Sequence, residues 1–91
     1  MDEPDPIVLP IEDSIDLHAF APRDVPSVVD EYLWQAAAHG FTEVRLIHGR
    51  GHGVQRAIVQ RILSEHALVL RIFDAPPERG GWGATVAVLR S

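Results

Sequence analysis

The sequence has no cysteine among its 91 residues. Disulfide bridges and thiolate metal sites are therefore excluded, and such a chain fits a cytoplasmic location. No apolar run approaches the roughly 18–20 residues of a membrane-spanning helix, and no basic-then-apolar start indicates a signal peptide. We therefore expect no membrane partner. The length corresponds to one domain, and 46% hydrophobic with 23% charged residues is an ordinary globular composition.

Lysine is also absent: the eight basic residues are all arginine, and the formal net charge is −5. Five acids and no base lie in the acidic leader, residues 1–13, whereas residues 14–91 carry as many acids as arginines. Three prolines indicate that the leader is extended, and apolar residues such as Ile11 can place part of it against the body. The neutral body predicts weak non-specific binding to nucleic acid, because phosphate neutralisation supplies most of that affinity.

Hydrophobic periodicity predicts an α/β domain with the element order βαβαββ. Strands are expected over residues 14–18, 43–48, 67–74 and 84–90. The first helix begins near Pro22, where Asp24 can cap it, and ends before Gly40. Its apolar stripe at helical spacing consists of Val25, Val28, Val29, Tyr32, Leu33 and Ala36. The second helix spans residues 54–66, and its predicted inward face consists of Val54, Ala57, Ile58, Ile62 and Leu63. Right-handed crossovers would make the first two connections parallel, with both helices on one face of the sheet.

Asp16 and His18 are the first candidates for chemistry. In a strand, residues two apart point to the same side, so both side chains would lie opposite Ile15 and Leu17. A carboxylate beside an imidazole orients the ring and raises its basicity, and such a histidine can activate water or protonate a leaving oxygen. Taken alone, the pair favours the alternative of a solvated strand edge with incidental polar residues.

A glycine-rich turn joins the second strand to the second helix. The residues in question are His48, Gly49, Arg50, Gly51, His52 and Gly53. Glycines let backbone N–H groups approach a phosphate, the helix N-terminus adds partial positive charge, and Arg50 and Arg56 can supply charge-assisted hydrogen bonds. We predict a phosphate-binding loop, against the alternative of a turn without a ligand. The G-x-G-x-G spacing does not match the dinucleotide fingerprint.

Residues 75–83 are predicted to form a loop before the last strand. An indole among glycines offers a surface for base stacking, and the candidate nucleic-acid contacts here are Arg79, Gly81, Trp82 and Thr85. The alternative is a tight hairpin with Trp82 packed on the core. Five histidines raise the question of a metal site. Because no cysteine accompanies them, no tight structural metal is predicted.

Together these motifs resemble those of the small MutS-related (Smr) domain family. Ile-Asp-Leu-His at 15–18 resembles its Leu-Asp-x-His, His-Gly-Arg-Gly at 48–51 its His-Gly-x-Gly, and Gly-Gly-Trp-Gly-Ala-Thr at 80–85 its glycine-rich Gly-Ala-Thr. The resemblance covers roughly residues 14–90, places the domain at 14–91, and with Met1 favours a complete stand-alone member. It implies a two-layer βαβαββ fold with a four-stranded mixed sheet, similar to the C-terminal domain of translation initiation factor 3.

Several family members nick DNA or cleave RNA, so the resemblance implies an endonuclease. It associates Asp16 and His18 with cleavage, and the motif at 48–51 with nucleic-acid contact and activity. His48 would be the partner acid. Two histidines flanking a phosphate would allow RNA cleavage without a metal, whereas Mg²⁺ held by Asp16 and phosphate oxygens is the other option. The family often has glycine after Leu-Asp-x-His, where this chain has Ala19, and that difference bears on substrate fit.

Two other functions remain open at this stage. The same loops would also suit a non-catalytic nucleic-acid-binding module, in DNA repair or recombination or in RNA quality control at the ribosome. A protein-interaction domain is the second alternative, in which the acidic leader recruits a basic partner such as a ribosomal protein. The sequence does not choose between DNA and RNA, or between duplex, branched and single-stranded substrates.

Overall fold

The structure, a computed structural model, describes residues 11–51 and 53–90. Most of the acidic leader and the candidate site residue His52 lie outside the described residues. The elements are β1 (Ser14–Asp16), α1 (Val25–Ala38), β2 (Glu43–Ile47), α2 (Val54–Ser64), β3 (Val69–Asp74) and β4 (Ala84–Leu89). Their order, βαβαββ, is the one predicted. Neither helix is long and apolar enough to cross a membrane.

The four strands form one mixed sheet in the spatial order β1-β2-β4-β3. β1 is parallel to β2, and β4 lies antiparallel to both β2 and β3. β2 and β3 therefore point the same way, as right-handed crossovers predict, and β4 is inserted between them. Asp16, the last residue of β1, is level with Ile47, the last residue of β2. The segments that follow these two strands consequently meet at one edge of the sheet.

Both helices pack on one face of the sheet. The buried cluster contains Val25, Val29, Leu33 and Ala36 of α1, Val59 and Leu63 of α2, and Val44, Leu46, Ala87 and Leu89 of the sheet. Each fully buried Val or Leu contributes about 1.5–3 kcal/mol of transfer free energy. The predicted stripe of α1 is confirmed, including Tyr32, whose Oη donates to the carbonyl of Glu12 at 2.7 Å. That bond ties the end of the acidic leader to the domain, and Ile11 packs against the core.

Three predicted boundaries are corrected by local turns. β1 ends at Asp16, because residues 17–19 form a 3-10 turn. β3 begins only at Val69, whose N–H closes a turn onto the carbonyl of His66. Helix α1 is preceded by a 3-10 turn over residues 22–24, and Asp24 makes no side-chain capping bond. Two further 3-10 turns, over residues 77–79 and 81–83, give the predicted loop a defined shape.

The predicted inward face of α2 is wrong for three of its five residues. Val54 and Ile58 are 63% and 42% exposed, and Ala57 is exposed as well. The helix is rotated relative to the prediction, so that Val59 joins the core beside the correctly predicted Leu63.

Polar residues occupy the rest of this inward face. Arg56 and Gln60 share it with Val59 and Leu63 at the helical spacing i, i+3, i+4, i+7. Both polar side chains are half-buried, and they bond to the sheet instead of facing solvent, Arg56 to Asp74 and Gln60 to Thr85. The interface between α2 and the sheet therefore combines apolar packing by Val59 and Leu63 with hydrogen bonds from Arg56 and Gln60.

Candidate functional site

Asp16 and His18 form a hydrogen-bonded pair, although not by the predicted geometry. The expected shared face of a strand does not exist, because His18 lies in the 3-10 turn that Asp16 caps. Oδ1 of Asp16 accepts two bonds at 2.9 Å, one from the backbone N–H of His18 and one from its Nδ1. These bonds, the backbone one first, hold the pKa of Asp16 below its usual value. The carboxylate thus remains ionised and orients the ring.

The other ring nitrogen of His18 lies against the glycine-rich loop. A Cβ built on Gly49 would be 2.5 Å from Nε2 of His18 and 2.9 Å from its Cε1. The imidazole therefore occupies the space that any other residue at position 49 would fill. Because Nδ1 donates to Asp16, the lone pair of the neutral ring is on Nε2. The structure thus brings His18 and Gly49 together.

A pocket of about 300 Å³ opens in front of this nitrogen. This pocket, called the His18 pocket below, is lined by His18, His48, Gly49, Arg50, Gly51, Gly53, Val54 and Gln55. The first turn of α2 forms one wall, and the first N–H groups of an α-helix have no partner within the helix. Such a terminus carries about half a positive charge and attracts anions. The pocket therefore places an exposed imidazole beside a set of anion-binding donors.

Not every backbone donor predicted for the phosphate is free. The N–H groups of His48 and Gly49 both donate to the carbonyl of Gly83, at 3.0 and 2.9 Å. The N–H of Gly53 donates to the carbonyl of Arg50 at 3.1 Å. Phosphate contact through the N–H groups of Gly49 and Gly53 is thus corrected: they fix the shape of the loop. The available donors belong to the first turn of α2 and to the exposed side chain of Arg50.

His48 and Thr85 are buried, contrary to their predicted roles. His48 is 3% and Thr85 0% exposed. Nε2 of His48 lies 2.8 Å from Oγ1 of Thr85, Nδ1 lies 2.9 Å from the carbonyl of Gly49, and Gln60 Nε2 donates to the same Oγ1 at 3.1 Å. A single arrangement satisfies all three: Gln60 donates to Thr85, Thr85 to His48, and His48 to Gly49. A partner acid at His48 and a nucleic-acid contact at Thr85 do not fit, because these groups are already bonded in the interior.

Burial lowers the pKa of His48, chiefly by desolvation of the charged ring. We expect the free energy of unfolding to fall as the pH drops below about 6.5, the usual histidine pKa, because the unfolded chain then binds a proton that the folded ring resists. The loss is complete once the pH passes the lowered pKa of folded His48. Urea unfolding as a function of pH is expected to show a shallower fall in a His48→Gln variant. Equal slopes would contradict a neutral buried His48.

Arg56 and Trp82 form a second cluster beside the loop. The Arg56 guanidinium lies 4.6 Å from the centre of the Trp82 ring and bonds both oxygens of Asp74, at 2.8 and 3.1 Å. A Cβ built on Gly53 would be 2.9 Å from Cη2 of Trp82. The indole is therefore packed against the start of α2. The prediction that Arg56 binds phosphate is corrected, because its guanidinium is paired with Asp74.

The two remaining arginines of the prediction have different positions. Arg50 is exposed and crosses the turn at residues 81–83, where Cβ atoms on Gly81 and Gly83 would each come within 3.2 Å of its side chain. Arg79 instead lines a separate pocket of about 290 Å³ with Asp13, Glu43 and Arg45. Of the two, the structure brings only Arg50 to the His18 pocket.

Ala19 stands in the 3-10 turn beside His18 and is exposed. Among residues 11–51 and 53–90, no residue other than glycine has a positive φ. The backbone at Ala19 is therefore of a kind that any residue adopts, and the departure from the family's usual glycine introduces no strain there.

Sequence reasoning missed Gln60 and Asp74. Gln60 follows Arg56 by four residues, so the two share a helix face, and this spacing was the available signal for a polar inward side. Asp74 ends a strand and carries no comparable signal. Within the two described ranges, no three His, Asp or Glu side chains are close enough together to hold a metal ion.

Comparison with known proteins gives consistent matches. The Smr domain family model matches residues 15–90. Endonuclease MutS2 from Staphylococcus aureus is 35% identical over 80 residues, which are 88% of this chain and 11% of that protein. The chain thus spans about a tenth of the length of the curated relatives it matches.

Two solved structures share the fold. The Smr domain of Thermus thermophilus MutS2 has a TM-score of 0.81 at 35% identity, covering 88% of this chain and 100% of that one. YdaL, a stand-alone small MutS-related protein from Escherichia coli, has a TM-score of 0.82 at 31% identity, covering 90% of this chain and 67% of that one.

Proposed function

Because the chain belongs to the Smr domain family, we propose that it is an endonuclease that cleaves phosphodiester bonds of nucleic acid at the His18 pocket. The observation that carries this proposal is the position of His18. Its ring is held by Asp16 on one side and presents Nε2 to a pocket at the N-terminus of α2 on the other. The name of the relative Endonuclease MutS2 supports the same reaction class.

His18 acts as the general base in this proposal. Nε2 removes the proton of the attacking oxygen, from water or from a ribose 2′-hydroxyl, as that oxygen bonds to phosphorus. Asp16 stabilises the imidazolium that results, because its carboxylate faces Nδ1–H at 2.9 Å. A base placed in this way contributes about 10²–10⁴ in rate. The bond from phosphorus to the leaving oxygen breaks, and solvent protonates that oxygen, since His48 is buried and bonded.

The phosphate is held by the first turn of α2 and by Arg50. Charge develops on the non-bridging oxygens as the nucleophile adds, and fixed N–H dipoles stabilise it without reorganisation. Mg²⁺, where cleavage needs it, would be held by Asp16 together with phosphate oxygens and would neutralise the same charge. Oδ1 of Asp16 already accepts two bonds from His18, so the second carboxylate oxygen would have to take that place.

The test is cleavage of labelled single-stranded RNA, supercoiled plasmid and branched DNA, each with and without Mg²⁺. An Asp16→Ala/His18→Ala variant, purified identically, is assayed beside the wild type. We expect cleavage by the wild type and its loss, by about 10² or more, in the variant. The substrate that is cut would distinguish a role in DNA repair from one in RNA quality control. Cleavage that persists in the variant would overturn the assignment of His18.

Non-catalytic nucleic-acid binding is the second candidate function. The observation that favours it is that, among the described pocket residues, His18 is the only exposed acid–base group, since His48 is buried. In this alternative, Asp16 and His18 shape the groove and Arg50 with α2 binds the backbone. Wild-type protein that binds the oligonucleotides without cutting them, with binding unchanged by the double substitution, would support it.

A further inference from the structure

The indole of Trp82 is partly exposed, and its position is fixed by a contact with Arg56. It remains 43% exposed, although an indole can bury a large apolar surface. The guanidinium of Arg56 lies 4.6 Å from the ring centre. Arg56 is itself fixed by three contacts to Asp74, between 2.8 and 3.3 Å. The ring therefore has a defined position and lies partly in solvent.

The same indole contacts Gly53, which lines the His18 pocket. Its Cη2 lies 2.9 Å from the position of a Cβ on Gly53, and Gly53 is both a pocket residue and the residue before α2. His18 contacts the other end of this loop at Gly49. The loop is closed by the bond from Gly53 N–H to the Arg50 carbonyl, so its two ends are near each other. Trp82 and His18 consequently flank one short loop that leads into α2.

We propose that Trp82 stacks on an unpaired base of the nucleotide whose phosphate lies at the N-terminus of α2, and that it selects single-stranded or unpaired nucleic acid over intact duplex. This inference rests on the proposed function of the His18 pocket. A base within a duplex is already stacked on its neighbours and must be extruded before a protein can reach its face. A fixed indole accepts any base, because every base has a π-face.

The neutral charge balance of the domain favours stacking over electrostatic attraction as the source of binding. Residues 14–91 have equal numbers of acids and arginines, and Arg56 is neutralised by Asp74. The electrostatic affinity for a phosphate backbone is then small, so a stacking contact forms a large part of the total. Pairing with Asp74 also makes Arg56 a support for the ring rather than a phosphate ligand.

The test uses binding rather than cleavage. The chain has two tryptophans, so a Trp34→Phe background leaves Trp82 as the only indole. In the cleavage-impaired Asp16→Ala/His18→Ala form of this protein, we expect short single-stranded RNA and DNA to quench Trp82 fluorescence, and the matching duplex to quench it weakly. Trp82→Ala, made with Trp34 intact, is expected to weaken single-strand binding by about 5- to 150-fold, and Trp82→Phe is expected to restore most of it.

Oligonucleotides with abasic sites identify the contact as stacking. Trp82→Ala is expected to weaken binding of the intact strand but not of the abasic strand, as a double-mutant cycle requires. Equal losses for both strands, or no loss for either, would overturn the proposal, as would equal quenching by duplex and single strand. Because these measurements do not involve cleavage, they can fail while His18 proves catalytic, or succeed while it does not.

Discussion

Replacing Gly49 by alanine is expected to abolish most cleavage while leaving the protein folded. The new Cβ would lie 2.5 Å from Nε2 of His18, a separation that atoms do not tolerate. His18 is the group that gives way, because its side chain is 63% exposed and can move into solvent. Moving the ring breaks its bond to Asp16 and withdraws the base from the pocket. We expect the cleavage rate to fall by about 10²–10⁴.

Gly40 provides a matched control for this substitution. Its φ of +84° is nearly the same as the +85° of Gly49, yet a Cβ at Gly40 would meet nothing within 4 Å. Both alanine variants adopt a left-handed conformation, which costs about 1–2 kcal/mol. Urea unfolding should therefore show similar destabilisation in the two proteins, while cleavage is lost only in Gly49→Ala. Equal activity in the two variants would contradict the placement of His18 over the loop.

The elements predicted best from the sequence are those whose signals are local. The stripe of α1 repeats at helical spacing, and its stop at Gly40 needs only a left-handed residue. The glycine-rich turn was also visible, since a strand, a run of glycines and a helix follow one another in the chain. These features depend on neighbours in sequence, so no knowledge of tertiary contacts is needed to find them.

The details of the site depend on contacts that sequence spacing does not encode. Alternation placed Asp16 and His18 on one face of a strand, but the carboxylate caps a turn and redirects the chain at Leu17. The inward face of α2 was misjudged because apolar residues were assumed to face the core. In the middle of α2, Gln60 takes an inward position instead, because Thr85 of β4 and the buried His48 that follows β2 offer it a hydrogen-bonded network.

That buried network and the exposed dyad have separate tasks. His48, Thr85 and Gln60 satisfy one another's hydrogen bonds in the interior and hold the carbonyl of Gly49. Gly49 in turn supports the ring of His18, which remains in solvent contact. In the proposed mechanism, the histidine of the His-Gly-x-Gly motif is therefore a positioning residue for the loop, and the histidine of the Asp-x-His motif is the general base. The similarity of the fold to the C-terminal domain of translation initiation factor 3, which the family resemblance implies, stays a prediction.

Replacing Asp16 by asparagine is expected to reduce the cleavage rate by about 10², the lower end of what a positioned base contributes. An amide oxygen can still accept the bonds from the backbone N–H and Nδ1 of His18, so the turn persists. The negative charge that stabilises the imidazolium is lost, however, and the amide NH₂ can turn toward the ring and favour the wrong tautomer. Substrate binding should be unchanged, because Asp16 does not contact the phosphate in the metal-free mechanism.

Asp30→Asn is the matched control, because the chain has a second pair in which a carboxylate faces a histidine. Asp30 Oδ1 lies 2.7 Å from Nε2 of His66, and the Asp30 side chain is 59% exposed, close to the 60% of Asp16. Asp30 lies on α1 outside the pocket, so its replacement should leave cleavage at the wild-type rate. Single-turnover rates of both variants, with and without Mg²⁺, make the comparison. If Asp16→Asn cleaves as fast as Asp30→Asn, the carboxylate does not act through His18; if it loses activity only when Mg²⁺ is present, Asp16 is a metal ligand.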